Sequence, residues 1–296
     1  MAGAFFILRD VAVRGPTDVH CLRRPRGVGY AVAEVGRSCL IRLIDFPELP
    51  LRTGLREAVK VGRTVLLVRT ELSVGERMLP VAYKRIRRRN WLKSLTDWLR
   101  PRRALHAWQV GHALLERGVA TARPLAVIVP RRFEFSRDTF LATEWIDGAV
   151  NLDAYLRWVE RLEPSQRRRP LREAARSLGA LLGRMHATGV SHRDLKAGNL
   201  LVLDRGGTVR TFVIDLDGAT VRRRVPRRIR LRNLARMAVA LDRRRCITAA
   251  VRLRFLKAYL AASGEASGSW KDIWRELGRV VAALRHRKER TLPRAA

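Results

Sequence analysis

Two spacings of apolar residues divide the chain. Through about residue 146 they come in short, partly alternating runs bounded by Gly, Pro and polar turns, the pattern of strands. "REAVKVGR", "TVLLVRTEL" and "RMLPVAYKRI" read as three consecutive strands, with turns at "VGR" and "SVGER". "ARPLAVIVP" and "DTFLATEWI" read as two more, and before them lies "RALHAWQVGHALLERG", a helix stopped at Gly118. Residues 1–50 look strand-rich and irregular, beginning with a strand in "MAGAFFILRD" and closing on the proline-marked "DFPELPLR". Beyond Asp147 the period lengthens: Leu171, Ala174, Leu178, Leu182 and Met185 fall at helical spacing behind Pro170, and Gly189 ends the run. "LLVLDRGGTVRTFVID" predicts a hairpin turning at "DRGG", and "NLARMAVALD", "AAVRLRFLKAYLAA" and "WKDIWRELGRVVAALRHR" are helical in pattern. The expectation is an α+β chain in two lobes. Residues 1–50 form an extension packed on the small lobe, 51–146 a β-rich small lobe, and 147–296 a mainly helical large lobe.

Composition narrows the class. A hydrophobic fraction of 47% excludes wholesale disorder, and no apolar run approaches the roughly 20 residues that span a bilayer. The N-terminal "MAGAFFILRD" lacks a basic leader and a small-residue cleavage site, so a cytoplasmic location is expected. Cys21, Cys39 and Cys246 are far apart and match no metal spacing, which suggests free thiols. The formal charge is +34, mostly from arginine. Coding bias alone enriches arginine; the functional reading is attraction to an anionic partner such as membrane lipid, phosphorylated glycan or nucleic acid. No aromatic-rich stacking platform accompanies the arginines, which weighs against nucleic acid. In "KRIRRRNWLKSLTDWLRPRR", Trp91, Leu92, Leu95, Trp98 and Leu99 fall at helical spacing among cations. That is an ordinary surface helix or a peripheral contact with an anionic membrane. "RRRVPRRIRLR" (222–232) is a holder of an anionic glycan or a solvated basic loop.

The chemistry concentrates in "SHRDLKAGNLLVL", from Ser191 to Leu203. A loop between a helix and a hairpin presents polar side chains where a buried strand has no use for them. Mg²⁺ prefers oxygen ligands and usually takes one or two carboxylates, with phosphate and water completing its shell. Asn199 and Asp215, the latter closing the strand after the hairpin, fit as one neutral and one anionic ligand. Asp194 then remains to accept a proton from an attacking hydroxyl, and Lys196 reaches transferring phosphate oxygens.

His192, Arg193, Asp194 and Asn199, followed by Asp215 in "VIDLDG", resemble the catalytic loop and metal aspartate of the protein-kinase fold. "VAYK" places Lys84 where kinases hold the α- and β-phosphates of ATP. Protein kinases follow the metal aspartate with Phe-Gly and a long activation loop. Here Leu216, Asp217 and Gly218 are followed only by a short basic stretch, which points to a small-molecule or glycan acceptor. More closely, the chain resembles the bacterial lipopolysaccharide kinase family (Kdo/WaaP type) over about residues 55–265. The likeness rests on "VGRTVLLVRTEL", "VAYKR", "ALLERGVATARPLAV", "LGRMHATGVSHRDLKAGNLLV", "VIDLDGA", "NLARM" and "RLRFLKAYL".

That resemblance implies a two-lobed protein-kinase-like fold. It also implies transfer of the ATP γ-phosphate to a sugar hydroxyl of lipopolysaccharide core or a similar anionic glycolipid, at the inner face of the cell membrane. The cofactors would be ATP and Mg²⁺, with Mn²⁺ as the alternative metal. Gly62 in "KVGRT" stands where a glycine-rich loop covers the phosphates, though a lone Gly is also an ordinary turn. Glu144 and Ile146, where the lobes meet, would edge the adenine with their backbone. The family's helix Glu, partner of the strand lysine, aligns with Ala107; Glu116, in the last turn, is the helix's one acid. Two other readings remain: an atypical serine/threonine protein kinase, and a catalytically weak kinase-like nucleotide-binding protein. His192 and Arg193 read as organisers of the loop, Asp217 as a turn cap or else an aid to the metal, and His106, His112, His186 and His286 as structural or surface residues.

Overall fold

The computed structural model describes residues 19–53, 58–62, 64–87, 103–131, 138–264 and 270–291. The strand expected in "MAGAFFILRD" and the Trp-rich basic stretch at 88–102 lie outside them. Two compact units emerge. One runs to Leu115 and resumes at Ala122–Asp147; the other comprises Glu116–Thr121 and the chain from Gly148 onward.

The first unit is built on β1 (Val19–Arg24), β2 (Gly27–Val32), β3 (Ala58–Val61), β4 (Val65–Val74), β5 (Arg77–Ile86), β6 (Pro124–Pro130) and β7 (Thr139–Glu144). They form one seven-stranded sheet in the order β1-β2-β6-β7-β5-β4-β3. Every pairing is antiparallel. The pattern predicts five of these strands; β1 and β2 extend the same sheet beyond β6. Residues 37–53, read as strand-rich, are instead α1 (Arg37–Asp45) and α2 (Leu49–Thr53). Leu40, Leu43 and Ile44 repeat at three and four positions and are buried, so the helical period was present in a short stretch. α1 lies on β1, β2 and β6, and α2 lies on β4. The contact with β2 is tight: a Cβ at Gly29 would stand 2.7 Å from a methyl of Leu40. α3 (Arg103–Glu116) is buried through most of its length.

The second unit opens with β8 (Val150–Asn151) and α4 (Leu152–Arg161), a helix the sequence reading passed over. Its start is well marked, because the Asn151 side chain accepts from the Ala154 amide at 2.8 Å. α5 (Pro164–Ala187) begins ahead of the expected start and carries Pro170 in its interior. The lost backbone donor there is tolerated because Leu171, Ala174, Leu178, Leu182 and Met185 are all buried. β9 (Val190–His192), the hairpin β10 (Leu200–Arg205) and β11 (Thr208–Val213), and β12 (Ala219–Val221) follow. Helices α6 (Arg227–Leu241), α7 (Ala249–Ser263) and α8 (Trp270–Thr291) complete it. Half of the basic stretch at 222–232 is therefore the first turns of α6, and Arg227 pairs with Glu276 of α8 at 2.7 Å. Between α4, α5, α6, α7 and α8 lies a cavity of about 320 Å³ with an apolar lining that includes Leu156, Leu178, Met237, Phe255 and Leu277. Among the described residues no helix is long and apolar enough to cross a membrane.

α5 and α7 pack closely because Gly179 and Gly183, one turn apart, face α7. A Cβ at Gly179 would collide with the Phe255 carbonyl, and one at Gly183 with the Tyr259 carbonyl. A glycine inside a helix costs about 1 kcal/mol relative to alanine, so close approach is what recommends these two. Gly183→Ala is expected to lower unfolding stability by about 2 kcal/mol despite its better helix propensity, because the helices must separate. Chemical denaturation checks this, and an unchanged or raised midpoint would refute the packing argument.

Candidate functional site

His192, the last residue of β9, is fully buried and acts as a two-ended clamp. Its Nδ1 accepts from the Asp194 amide at 3.2 Å, so its Nε2 carries the proton and donates to the Asp215 carbonyl at 3.0 Å. Burial pushes the imidazole below its ordinary pKa and keeps it neutral, which this pairing needs. The loop beyond it turns through a short 3-10 segment, Ala197–Asn199, into β10. There the Asn199 side-chain amide donates to the Asp194 carbonyl at 2.9 Å and to Asp194 Oδ2 at 3.3 Å. Lys196 Nζ donates to the same Oδ2 at 2.8 Å. This pair is half exposed, so it contributes at most about 1 kcal/mol to stability. Its consequence is orientation: an acid, an ammonium and an amide share one oxygen.

Asp215 has φ +60° and ψ +54°, the one non-glycine in the left-handed region among the described residues. That conformation costs roughly 1–2 kcal/mol. The neighbours over-determine it. The Ile214 amide donates to the Asn199 carbonyl at 2.9 Å, and the Arg193 amide to the Gly218 carbonyl at 3.0 Å. Asp217 sits inside the 3-10 turn Leu216–Gly218 that follows. The sharp turn at Asp215 is thus tied to the loop that carries Asp194 and Asn199.

A second layer of hydrogen bonds holds the clamp. The buried Asn233 of α6 accepts with Oδ1 from the His192 amide at 3.0 Å and from His186 Nε2 at 3.2 Å. Because Nε2 is then the donor, His186 Nδ1 accepts from the Tyr259 hydroxyl of α7 at 2.9 Å. Burial pushes His186 down to about 4, so it too is neutral. The Arg236 guanidinium donates to the Arg193 carbonyl. Sequence reading missed Asn233, and took His186 for a structural or surface residue. The available signal was a polar residue within the apolar spacing of "NLARM".

Of the residues predicted for the site, Asp194, Lys196, Asn199 and Asp215 are brought together by this network. Asn199 directs its amide at Asp194, which leaves an oxygen as its remaining donor atom. Among the described residues no three His, Cys, Asp or Glu side chains cluster so as to hold a metal unaided. Asn199 and Asp215 each carry an oxygen donor of the kind a hard cation takes beside phosphate and water.

Lys84, Gly62, Glu144 and Ile146 lie in the sheet unit. Lys84 lies near the C-terminal end of β5, in register with Leu67 of β4 and Leu141 of β7. Its neighbours Tyr83 and Arg85, on the opposite face, are anchored to the segment between α1 and α2. The Tyr83 hydroxyl donates to the Pro47 carbonyl at 2.9 Å, and Arg85 Nη1 to both Glu48 oxygens at 3.1 and 2.9 Å. Nothing in the spacing of the sequence announces this brace. Gly62 opens the β3–β4 turn and its amide is committed to the Val65 carbonyl at 2.9 Å. The Glu144 amide is committed to the Arg123 carbonyl at 2.8 Å, and Ile146 is half-buried beyond the end of β7. Ala107 is buried within α3 and Glu116 is exposed at its end.

The lipopolysaccharide kinase (Kdo/WaaP) family matches residues 69–259, more than half of the chain. No curated protein matches it significantly. Among solved structures, one of WaaP in complex with acyl carrier protein is similar in fold, with a TM-score of 0.58 at 24% identity. The match covers 82% of this chain and 92% of that one. The expected kinase-like α+β architecture, β-rich first and helical second, is borne out.

The neutral His186 makes stability depend on pH. The unfolded chain takes up a proton at this residue below about pH 6.5, whereas the folded chain resists until about 4. The contribution, on the order of 3 kcal/mol, is complete above pH 6.5 and is lost as pH falls toward 4. Denaturation midpoints should fall steadily from pH 7 to 4.5, more shallowly in His186→Gln. His112, pushed down to about 4 by burial, supplies part of the remaining slope. A flat profile, or an unchanged slope in the variant, would contradict the assignment.

Proposed function

The chain belongs to the lipopolysaccharide kinase (Kdo/WaaP) family, phosphotransferases acting on a sugar hydroxyl, and from that premise we propose that it uses ATP to phosphorylate lipopolysaccharide core or a similar anionic glycolipid. Asp194 accepts the proton of the attacking hydroxyl, and Lys196 offsets charge on the transferred phosphate. Asn199 and Asp215 hold Mg²⁺, which when bound neutralises charge on the phosphates. Lys84 binds the α- and β-phosphates, its strand braced by Tyr83 and Arg85. Glu144 and Ile146 edge the adenine through their backbone. Gly62 contributes a turn without a side chain rather than its amide, which is already committed. Peripheral contact with an anionic leaflet belongs to the same reading, supported by the charge of +34.

The observation that carries the proposal is the shared oxygen of Asp194, contacted by Lys196 and Asn199 in a loop that one neutral imidazole ties to the Asp215 turn. With labelled ATP and extracted core glycolipid, Asp194→Ala should lower kcat by about 10²–10⁴-fold with little change in the KM for ATP. Lys84→Met should instead raise that KM. Mass spectrometry of the product identifies the phosphorylated hydroxyl. Undiminished transfer by Asp194→Ala, or label on protein rather than glycolipid, would overturn the reading.

A partner can be proposed as well. The solved relative is in complex with acyl carrier protein, and the helical unit here holds an apolar cavity of about 320 Å³ that an acyl chain would fill. We extend that partner class to this chain. Acylated carrier protein should co-elute with it and the unacylated form should not. Ala175→Phe, which narrows the cavity, should weaken the complex about tenfold or more, about 1.4 kcal/mol. Equal binding of both forms would remove the cavity from the argument.

A further inference from the structure

The helical unit has a second cavity, about 680 Å³, that the catalytic loop does not use. It lies among α4, the start of α5 and the β10–β11 hairpin, with Val150, Val202 and Val209 in its lining. One wall is aromatic. Tyr155 and Trp158 stand one helical turn apart with ring centroids at 5.3 Å, and Trp158 remains 41% exposed. The Tyr155 hydroxyl donates to Asp204 Oδ2 at 2.9 Å, and Asp204 Oδ1 accepts from the Gly207 amide at 3.3 Å. The aromatic wall is thereby joined to the hairpin turn.

The lining is also cationic. Gly207, at φ +88°, sits where any Cβ would collide with the Arg169 guanidinium, so the turn is shaped to let that group lie across it. Arg161 also lines the cavity. Among the described residues no carboxylate pairs with Arg161 or Arg169. The acids in the lining are engaged: Asp204 as above, and Glu173 with Arg172 at 2.9 Å and Arg176 at 3.8 Å. What the cavity offers is a partly exposed indole beside guanidinium forks that no described carboxylate engages.

We propose that this cavity binds an anionic saccharide, a sugar ring bearing a carboxylate or phosphate. The apolar C–H face of the ring lies on Trp158, and Arg161 and Arg169 take the acid. Guanidinium forks match carboxylate and phosphate oxygens two at a time, and the cavity's size is in the range of small-ligand sites. A nucleic-acid strand would want a series of aromatic platforms rather than one. The inference rests on the reading of the acceptor as a glycolipid and deepens it. From Asn199 to Asp204 an extended strand covers about 16 Å, so the cavity is a remote subsite rather than the place of transfer. Binding there of a sugar distant from the reacting hydroxyl positions the acceptor.

Calorimetry and saturation-transfer NMR on the full chain without ATP test this, using digalacturonic acid, glucose 6-phosphate, glucose, inorganic phosphate and an acidic hexapeptide. The two acidic sugars should bind at least about tenfold more tightly than glucose or phosphate, about 1.4 kcal/mol. Trp158→Ala and Arg169→Gln should each weaken them by a similar factor while Asp194→Ala leaves them unchanged. Circular dichroism and melting of the variants confirm that they fold. Affinity unaltered by both substitutions, phosphate matching the sugars, or preference for the peptide would overturn the proposal. The same proteins assayed for transfer to glycolipid separate the two claims. Active wild type with unaltered variants refutes the subsite alone, whereas saccharide binding without any transfer refutes the kinase reading alone.

Discussion

One neutral imidazole joins the two segments on which the site depends. His192 can receive the Asp194 amide on one nitrogen and reach the Asp215 carbonyl with the other only as the Nε2–H tautomer. A protonated ring would place a hydrogen against the Asp194 amide. Full burial disfavours that form, because a charged imidazole would lose its solvation. The same donation helps hold Asp215 in a left-handed conformation that a free chain would leave. Charge state, backbone strain and loop position are therefore one constraint, set by where a single ring is buried.

That ring is itself placed from a distance. The glycines of α5 let α7 approach, and the approach brings the Tyr259 hydroxyl to His186. His186 then has its proton on the nitrogen facing Asn233, whose oxygen also receives the His192 amide. Each partner fixes the tautomer of the next, so a buried polar series runs from helix packing to the loop. Such a series specifies one arrangement because any member turned the wrong way would leave buried donors facing each other.

The spacing of the sequence made β3 to β7, α3 and the β10–β11 hairpin legible, since each is a strong local period closed by turn residues. The loop from His192 to Asn199 was legible for the same reason: its polar groups are near neighbours in the chain. What escaped were features whose cause is distant. β1 and β2 pair beyond β6, a placement no local pattern dictates. α1 and α2 are too short for their period to stand out, and α4 lay between two stronger signals. Asn233 reads as a polar interruption of a helix until the β9 amide that it receives is known. Pro170 looked like a beginning because proline so often opens a helix, yet six residues of α5 precede it.

The strand of Lys84 shows how a side chain's position can be imposed from the opposite face of a sheet. Alternation along β5 sends Tyr83 and Arg85 to one face and Lys84 to the other. Tyr83 is fully buried and held by the Pro47 carbonyl, while Arg85 grips both oxygens of Glu48. Strands move as units, so fixing two residues that flank the lysine fixes the height and tilt of the lysine's own Cα. On the proposed reading, Ala107 aligns with the family's helix carboxylate, and Glu116 in the last turn is the one acid of α3. The segment joining α1 to α2 acts on the same strand through backbone geometry. It lies before residue 69, where the family match begins, which makes residues 19–53 part of how the proposed ATP lysine is held rather than an appendage to the sheet.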